Sequence, residues 1–411
     1  MKALYRLLLV TVLVAPAANA VKIPLPIEGA SLNLTFQLQT EAVINENSNS
    51  AGTDPSYDLY IRRSRLLING DLSPNFQYLI QIDNPNYGKF GNYTGRALIQ
   101  DAWFGWAPTG VTGGTVVFVD AGLLLTPISH QLLTSTTNYI TADNNTDIIR
   151  GLQAGSFPGF RDVGIQVRGW ALDKKIGWRG GVYEGVHANS NAAGDRRLNP
   201  KSTPRLAGFV NLDLIGSEEG GWLYGAQRWN KDMVLSVSGS AIYQSLAIIG
   251  PNGATDQKLF SAGAYLNLPQ TEAAELVAEV LGYLSSVGSG SRDTGKGFLA
   301  SVGYRFGFIK PYFQYSQFDS DDCDTTLPAA QCGAHLADTR EIRAGLDFFI
   351  NKNLNHINFE FGVNHGQSSY GAQSVTPIPI TMATTSAGTT LDTSLRKAAT
   401  KSFLVHWNIN F

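Results

Sequence analysis

Beyond its first twenty residues, the 411-residue chain has no apolar run near the roughly 20 residues that a membrane-spanning helix needs. That excludes a helical membrane protein and leaves strands open. Only two cysteines occur, which excludes a disulfide-dense scaffold and a four-cysteine zinc site. Charge is scarce: Asp, Glu, Lys and Arg make up 16% of the chain, against a usual level of about 25%. The balance of 31 basic and 33 acidic residues gives no reason to expect nucleic acid as a partner. Methionine is rare, at three residues, and the six histidines are scattered. Neither Gly-x-Ser-x-Gly nor His-Glu-x-x-His is present. What the chain has in quantity is glycine, at 43 residues, with 16 tyrosines and 20 phenylalanines.

The first twenty residues read as an export signal. Lys2 and Arg6 supply a positive start, Leu7 to Val14 an apolar stretch, and Ala18-Asn19-Ala20 an A-x-A cleavage site. Cleavage after Ala20 is expected, with a retained anchor as the alternative. No cysteine follows the cleavage site, which argues against lipid attachment there. Removing Lys2 and Arg6 leaves 29 basic against 33 acidic residues, a net charge of −4.

Alternation with period two runs through the rest. In Lys401–Phe411, Phe403, Val405, Trp407, Ile409 and Phe411 share one parity, opposite Ser402, His406, Asn408 and Asn410, with Leu404 out of place. At the other end Leu32, Leu34, Phe36 and Leu38 oppose Asn33, Thr35, Gln37, Gln39 and Glu41. The same pattern recurs in residues 76–83, 298–306 and 357–364. Short connections at 72–75, 107–114, 171–175, 269–272, 307–309 and 351–355 alternate with long polar ones at 45–56, 84–96, 127–161, 186–204, 319–338 and 366–397. Strands of about ten residues with that rhythm predict one antiparallel transmembrane β-barrel of roughly 16 strands over residues 21–411. Its short turns should be periplasmic and its long loops extracellular, and Lys401–Phe411 should pair with the first strand, placing Phe411 near Leu32. Residues 216–232 read as a long turn, an extra strand or a bulged strand, and residues 271–284 read as strand in preference to helix.

Cys323 and Cys332 lie in an exported chain, so a disulfide between them is the first reading and metal binding a weaker one. No metal site and no cofactor are expected.

Several stretches resemble the family of phosphate-selective porins O and P. Ile61-Arg-Arg-Ser-Arg-Leu-Leu-Ile-Asn-Gly70, followed by Tyr78 and Asp83, is similar to that family's paired-arginine hairpin. Asp101-Ala-Trp-Phe-Gly-Trp106, Ala121-Gly-Leu-Leu-Leu-Thr-Pro127, Arg161–Gly169, and Gly303-Tyr304 with Pro311-Tyr312 follow in the family's order. The resemblance implies a homotrimeric outer-membrane porin with sixteen strands. It also implies that loop 128–160 folds inward to constrict the pore, and that Arg and Lys side chains line an anion path. The chain departs from the family in two places: Leu123-Leu124-Leu125 replaces Gln-Phe-Lys, and Tyr139–Thr146 lacks the acidic-then-basic pair. Phosphate selectivity therefore does not follow.

Parity separates wall from lumen. It places Arg63, Arg65, Arg168, Arg179, Arg205, Arg305 and Arg343 inward, because a charge on the lipid face at mid-depth costs about 2–4 kcal/mol. Arg150 and Arg161 join this candidate path from the third loop. Asp101, Asp162, Asp213, Glu279, Asp347 and Glu360 face the same way and are available to pair with the arginines. Arg62 should point outward, to a rim or a subunit contact, unless a bulge shifts the register. Passive diffusion of small hydrophilic solutes or anions across the bacterial outer membrane is the expected function, with membrane lipid as surroundings. A non-conducting adhesion barrel and a barrel hydrolase are the alternatives. The inward His406 suits a structural role better than a catalytic one.

Overall fold

The computed structural model describes residues 21–46, 48, 53–95, 97–111, 113–144, 160–186, 203–218, 222–229, 232–250, 253–288, 294–321, 338–365, 384–385, 388–389 and 400–410. Residues 1–20, expected as a leader, and Arg150, Cys323, Cys332 and Phe411 lie outside these residues.

Strand formation follows from the period-two pattern, and sixteen strands result. They are β1 (Ser31–Asn45), β2 (Ser56–Ser73), β3 (Phe76–Asp83), β4 (Leu98–Trp106), β5 (Val116–Leu125), β6 (Arg161–Ala171), β7 (Ile176–Tyr183) and β8 (Arg205–Ile215). Then come β9 (Val234–Gly250), β10 (Gly253–Thr271), β11 (Ala274–Ser286), β12 (Gly295–Phe306), β13 (Ile309–Ser320), β14 (Thr339–Asn351), β15 (Asn355–His365) and β16 (Thr400–Asn410). Each pairs antiparallel with the next, and β16 closes on β1 with His406 opposite Glu41. The expected closed barrel of sixteen strands is the observed fold, and residues 274–286 are strand, not helix. Closure removes the unpaired edges that an open sheet would present.

Phe411, expected near Leu32, lies outside the described residues. Asn410 lies opposite Gln37, and Leu32 lies opposite Ile23 of a short N-terminal strand, Val21–Pro24, which completes the ladder beside β1. Residues 21–24 therefore pair alongside Leu32 in the closed ladder.

Side-chain parity is as the alternation requires, with the usual inside and outside exchanged. Phe36, Phe298, Val302, Tyr304, Phe306, Phe359, Phe361 and Phe403 are exposed on the outer wall. Gln37, Gln39, Glu41, Ser301, Arg305, Asn358 and Glu360 are buried inside. An apolar outer band around a polar interior is the transmembrane-barrel arrangement.

Some inward positions are apolar, and they seat chain that folds into the lumen. Leu124, Leu259, Leu281, Tyr283 and Leu299 pack with Ile128 and Leu132 from the β5–β6 connection. Full burial of a side chain such as Ile128 or Leu133 contributes about 1.5–3 kcal/mol and sets the path of this loop. Leu404, out of pattern in the sequence, faces inward and packs on Ala142, Val43 and Tyr60.

The rhythm of short and long connections breaks twice. On the rim opposite the termini, β9 and β10 meet in a tight hairpin, Gly250 opposite Gly253. On the terminal rim, residues 216–233 join β8 to β9 as a long connection, of which residues 222–229 enter the barrel. Tyr224 donates its N–H to the Leu133 carbonyl (2.8 Å) and accepts from the Ser135 N–H (3.0 Å), forming a short parallel bridge with the β5–β6 loop. Of the three alternatives for this segment the long turn is the one observed in residues 222–229, which fill part of the lumen.

Candidate functional site

Two features of the wall build the site. The first is Gly122, at φ 132°, where a Cβ would stand 2.2 Å from the Ala102 carbonyl oxygen. Only glycine fits there. The β4–β5 ladder runs from Trp106–Val119 to Ala102–Leu123 and stops, so beyond that point β5 turns inward and releases the loop. The second is a bulge in β2. Gln39 pairs with Arg63 and Thr40 with Ile61, leaving Arg62 as the extra residue.

That bulge corrects the expectation for Arg62. It does not point outward: its Nε donates to Asp143 Oδ2 at 2.9 Å, and its side chain is 19% exposed. Arg62 and Arg63 thus both enter the lumen from adjacent positions, which a regular strand forbids. Arg63 donates to the other oxygen of the same carboxylate, Oδ1, at 2.8 Å. Two buried guanidiniums on one carboxylate offset the burial that would otherwise raise its pKa, and hold Asp143 well below the usual carboxylate range. Two residues further along, Arg65 pairs with Asp83 (2.9 Å) and donates to Thr136 Oγ1 (2.8 Å). Gln37 and Gln39 also reach Thr136, at 3.1 and 3.2 Å. Arg161, at the start of β6, makes a two-pronged contact with Asp101 at 3.2 and 3.1 Å.

Residues 128–144 cross the lumen and touch nearly all of its wall. The Ile128 carbonyl accepts from Ser240 on β9 and Ser261 on β10. Tyr139 takes Lys310 Nζ on its carbonyl at 3.3 Å, the Ala142 N–H donates to Glu360 at 3.3 Å, and the Asp143 carbonyl accepts from Arg343 at 3.0 Å. His130 is clamped between Glu218 (2.7 Å) and Glu279 (2.9 Å), flanked by the rings of Tyr224 and Tyr265 at 4.8 Å each.

Burial alone would lower the His130 pKa, but the two carboxylates override it and push it up to about 10. Folding therefore favours the imidazolium. Relative to the ordinary value of 6.5, this clamp contributes fully below pH 6.5 and is lost as pH rises through about 10. His130→Ala leaves Glu218 and Glu279 facing each other without their shared cation. Breaking such a buried pair costs about 3–5 kcal/mol. The unfolding temperature of the purified barrel should fall, and its decline between pH 6.5 and 10 should flatten.

Among the described residues, a cavity of about 980 Å³ lies along β1–β4, lined by Arg62, Arg63, Arg65, Arg161 and Lys89 with Glu41, Asp83 and Asp143. It also reaches the break in the wall where β4 and β5 separate, at Leu98, Ile99, Leu123 and Val163. Of the arginines expected on the path, Arg63, Arg65 and Arg161 meet here. Arg168, Arg179, Arg205, Arg305 and Arg343 sit elsewhere in the lumen. Arg168 pairs with Asp120 (2.6 Å) over Phe118, and Arg179 donates to the Trp222 carbonyl. Arg205 pairs with Asp162 (2.9 Å), Arg305 with Glu275 (3.3 Å), and Arg343 with Glu341 (2.9 Å).

Among the acids expected as partners, Asp101 and Asp162 take arginines, and Glu360 lies 3.9 Å from Arg343. Asp213 instead caps the Glu218 N–H, Glu279 takes His130, and Asp347 takes His356 and Lys310. Parity finds inward acids but not which cation reaches each one. Sequence reasoning missed Asp143, Lys89 and His130. Asp143 had a signal: it is the only acid in residues 121–146, in a loop that must dock on arginines. Among the described residues, no group of three or more His, Cys, Asp or Glu side chains is placed to hold a metal.

No family model matches this chain, and no curated protein matches it by sequence. Solved structures do match. The anion-selective porin of Comamonas acidovorans superposes with a TM-score of 0.57 at 17% identity, covering 93% of this chain and all of that one. The outer-membrane channel DcaP of Acinetobacter baumannii gives 0.52 at 12% identity, covering 95% and 100%. This chain has the porin fold. A Rh. blastica porin variant agrees at 0.50 and 12% identity, covering 92% and 100%. At these identities the likeness is one of architecture: the porin fold accommodates the barrel and its inward loop.

Proposed function

We propose that this protein is an outer-membrane porin through which small hydrophilic solutes diffuse passively, with a preference for anions. The observation that carries the reading is the arginine wall: Arg62, Arg63, Arg65 and Arg161 line one cavity opposite an inward loop. Guanidinium stays charged throughout the physiological pH range and binds carboxylate or phosphate with two parallel donors. The likeness to a porin described as anion-selective supports the same reading. Resemblance to the phosphate-selective porins O and P rests on the arginine hairpin and its neighbours; it supports the anion preference and leaves the choice of anion open.

The remaining expectations belong to this reading. Residues 1–20 are a leader cleaved after Ala20, Cys323 and Cys332 form a disulfide, and 128–160 is the constriction loop of a single domain. The working assembly is a homotrimer in membrane lipid, and the break in the wall between β4 and β5 gives a neighbouring copy a place to seal. Purified protein in planar bilayers should conduct, and its reversal potential across a KCl gradient should carry the sign of chloride preference. Absence of conductance from folded protein would falsify the channel reading.

The Lys89 ammonium adds a pH dependence. Burial lowers its pKa to about 8. Anion preference should therefore weaken as pH rises from 7 to 9, whereas Lys89→Met should remove that change. Reversal potentials at the two pH values check this.

A further inference from the structure

The cavity is not polar on every side. Leu67 follows Arg65 with the same parity on β2 and points into the lumen half-buried. Leu125 and Leu132, where the loop leaves and crosses, line the same space, as does Phe160 where the chain returns to β6. Leu223 completes this face. It is held between Trp222, stacked on Trp103 at 4.3 Å, and Tyr224, hydrogen-bonded to the loop backbone. With both neighbours docked, its own side chain is left 37% exposed inside the barrel, lining the cavity. Exposed leucine inside an aqueous lumen leaves apolar surface in water at about 25 cal/mol per Å², a cost recovered whenever an apolar body lies against it.

Charge sets the other half of the specificity. Five cations (Arg62, Arg63, Arg65, Lys89 and Arg161) face Glu41, Asp83 and Asp143, with Asp101 behind Arg161 as a fourth carboxylate. The excess is small and positive, which suits a singly charged anion better than a divalent one.

We propose that the preferred solute of this cavity is an organic monoanion with a compact apolar body, such as an aromatic carboxylate or sulfonate, rather than inorganic phosphate. The anionic head lies against the arginine wall, and the apolar body lies against Leu67, Leu132 and Leu223. This rests on the channel reading above and names the solute class of the same site.

Bi-ionic reversal potentials at pH 6 test it, with chloride on one side and benzenesulfonate, methanesulfonate or phosphate on the other. Benzenesulfonate and methanesulfonate share a head group and differ in apolar bulk, so a pore that only sieves passes the smaller ion better. The expected result is that benzenesulfonate permeates at least as well as methanesulfonate and better than phosphate. Leu67→Gln and Leu223→Asn, tested separately, should each lower the benzenesulfonate-to-chloride ratio by about three- to tenfold while chloride conductance stays near its original value. Permeation ordered by size alone, phosphate ahead of benzenesulfonate, or an equal change for all anions in both variants overturns the proposal. Protein that conducts no ion at all overturns the channel reading itself, which keeps the two failures apart.

Discussion

Replacing Arg63 and Arg65 together by glutamine should shift the anion preference proposed for this protein towards cations. Five cations and three carboxylates line the cavity, with Asp101 beside Arg161 and His406 beside Glu41. Removing two cations leaves three against the three lining carboxylates, so the local excess of positive charge is lost. At separations of a few ångströms in a partly dehydrated channel, one unit charge shifts the potential by a few kcal/mol per mole of ions, enough to dominate selectivity. The substitution should move the reversal potential in a KCl gradient from the chloride side towards the potassium side. Arg62 still holds Asp143 at 2.9 Å, and Asp83 keeps the Ser64 N–H at 3.2 Å, so the loop stays docked and the readout remains a property of charge. Unchanged anion preference in the folded variant would place the selective site elsewhere in the lumen.

Excising residues 222–229 and joining β8 to β9 by a short Gly-Asn turn should roughly double single-channel conductance, because pore width in a barrel of fixed strand number depends on what fills it. The turn occupies the lumen from one wall to another. Trp222 stacks on Trp103 of β4, Gln227 and Arg228 hold Glu275 of β11, and Trp229 donates to Asn353 at 3.1 Å beside Phe349 of β14. Its Tyr224 also braces the β5–β6 loop through the bridge to Thr134. Conductance should therefore rise and also become noisier as the loop loses that support. A variant that conducts like the parent would show that ions do not pass beside the turn.

These two predictions differ in how much of their basis a reader of the chain alone could have found. Arg63 and Arg65 are legible because strand parity is local: two residues apart means the same face, and the apolar Leu66 assigns that face to the lumen. The barrel, its closure by residues 401–410 on β1, and the inward set from Arg168 to Arg343 are legible for the same reason. Each follows from a period-two pattern within a single segment, joined to the rule that lipid excludes charge.

Arg62 shows where that reasoning ends. A bulge is a two-against-one pairing with β1, so it is a property of two strands and cannot be read from one. The cost of a guanidinium on the lipid face was the only sequence-level warning of it. Asp143, His130 and residues 222–229 are further from reach. Their positions depend on where a long loop and a turn cross the barrel, and that path is set by contacts between residues far apart in the chain. His130 meets Glu218 and Glu279, 88 and 149 positions away, and Asp143 meets Arg63, 80 positions away. The sequence by itself therefore determined the wall and which of its faces is polar. The tertiary structure alone decided what fills the lumen, which arginines share the remaining space, and that leucines face them. The physical reason is that alternation is local, while packing inside a closed barrel is settled only when distant segments meet.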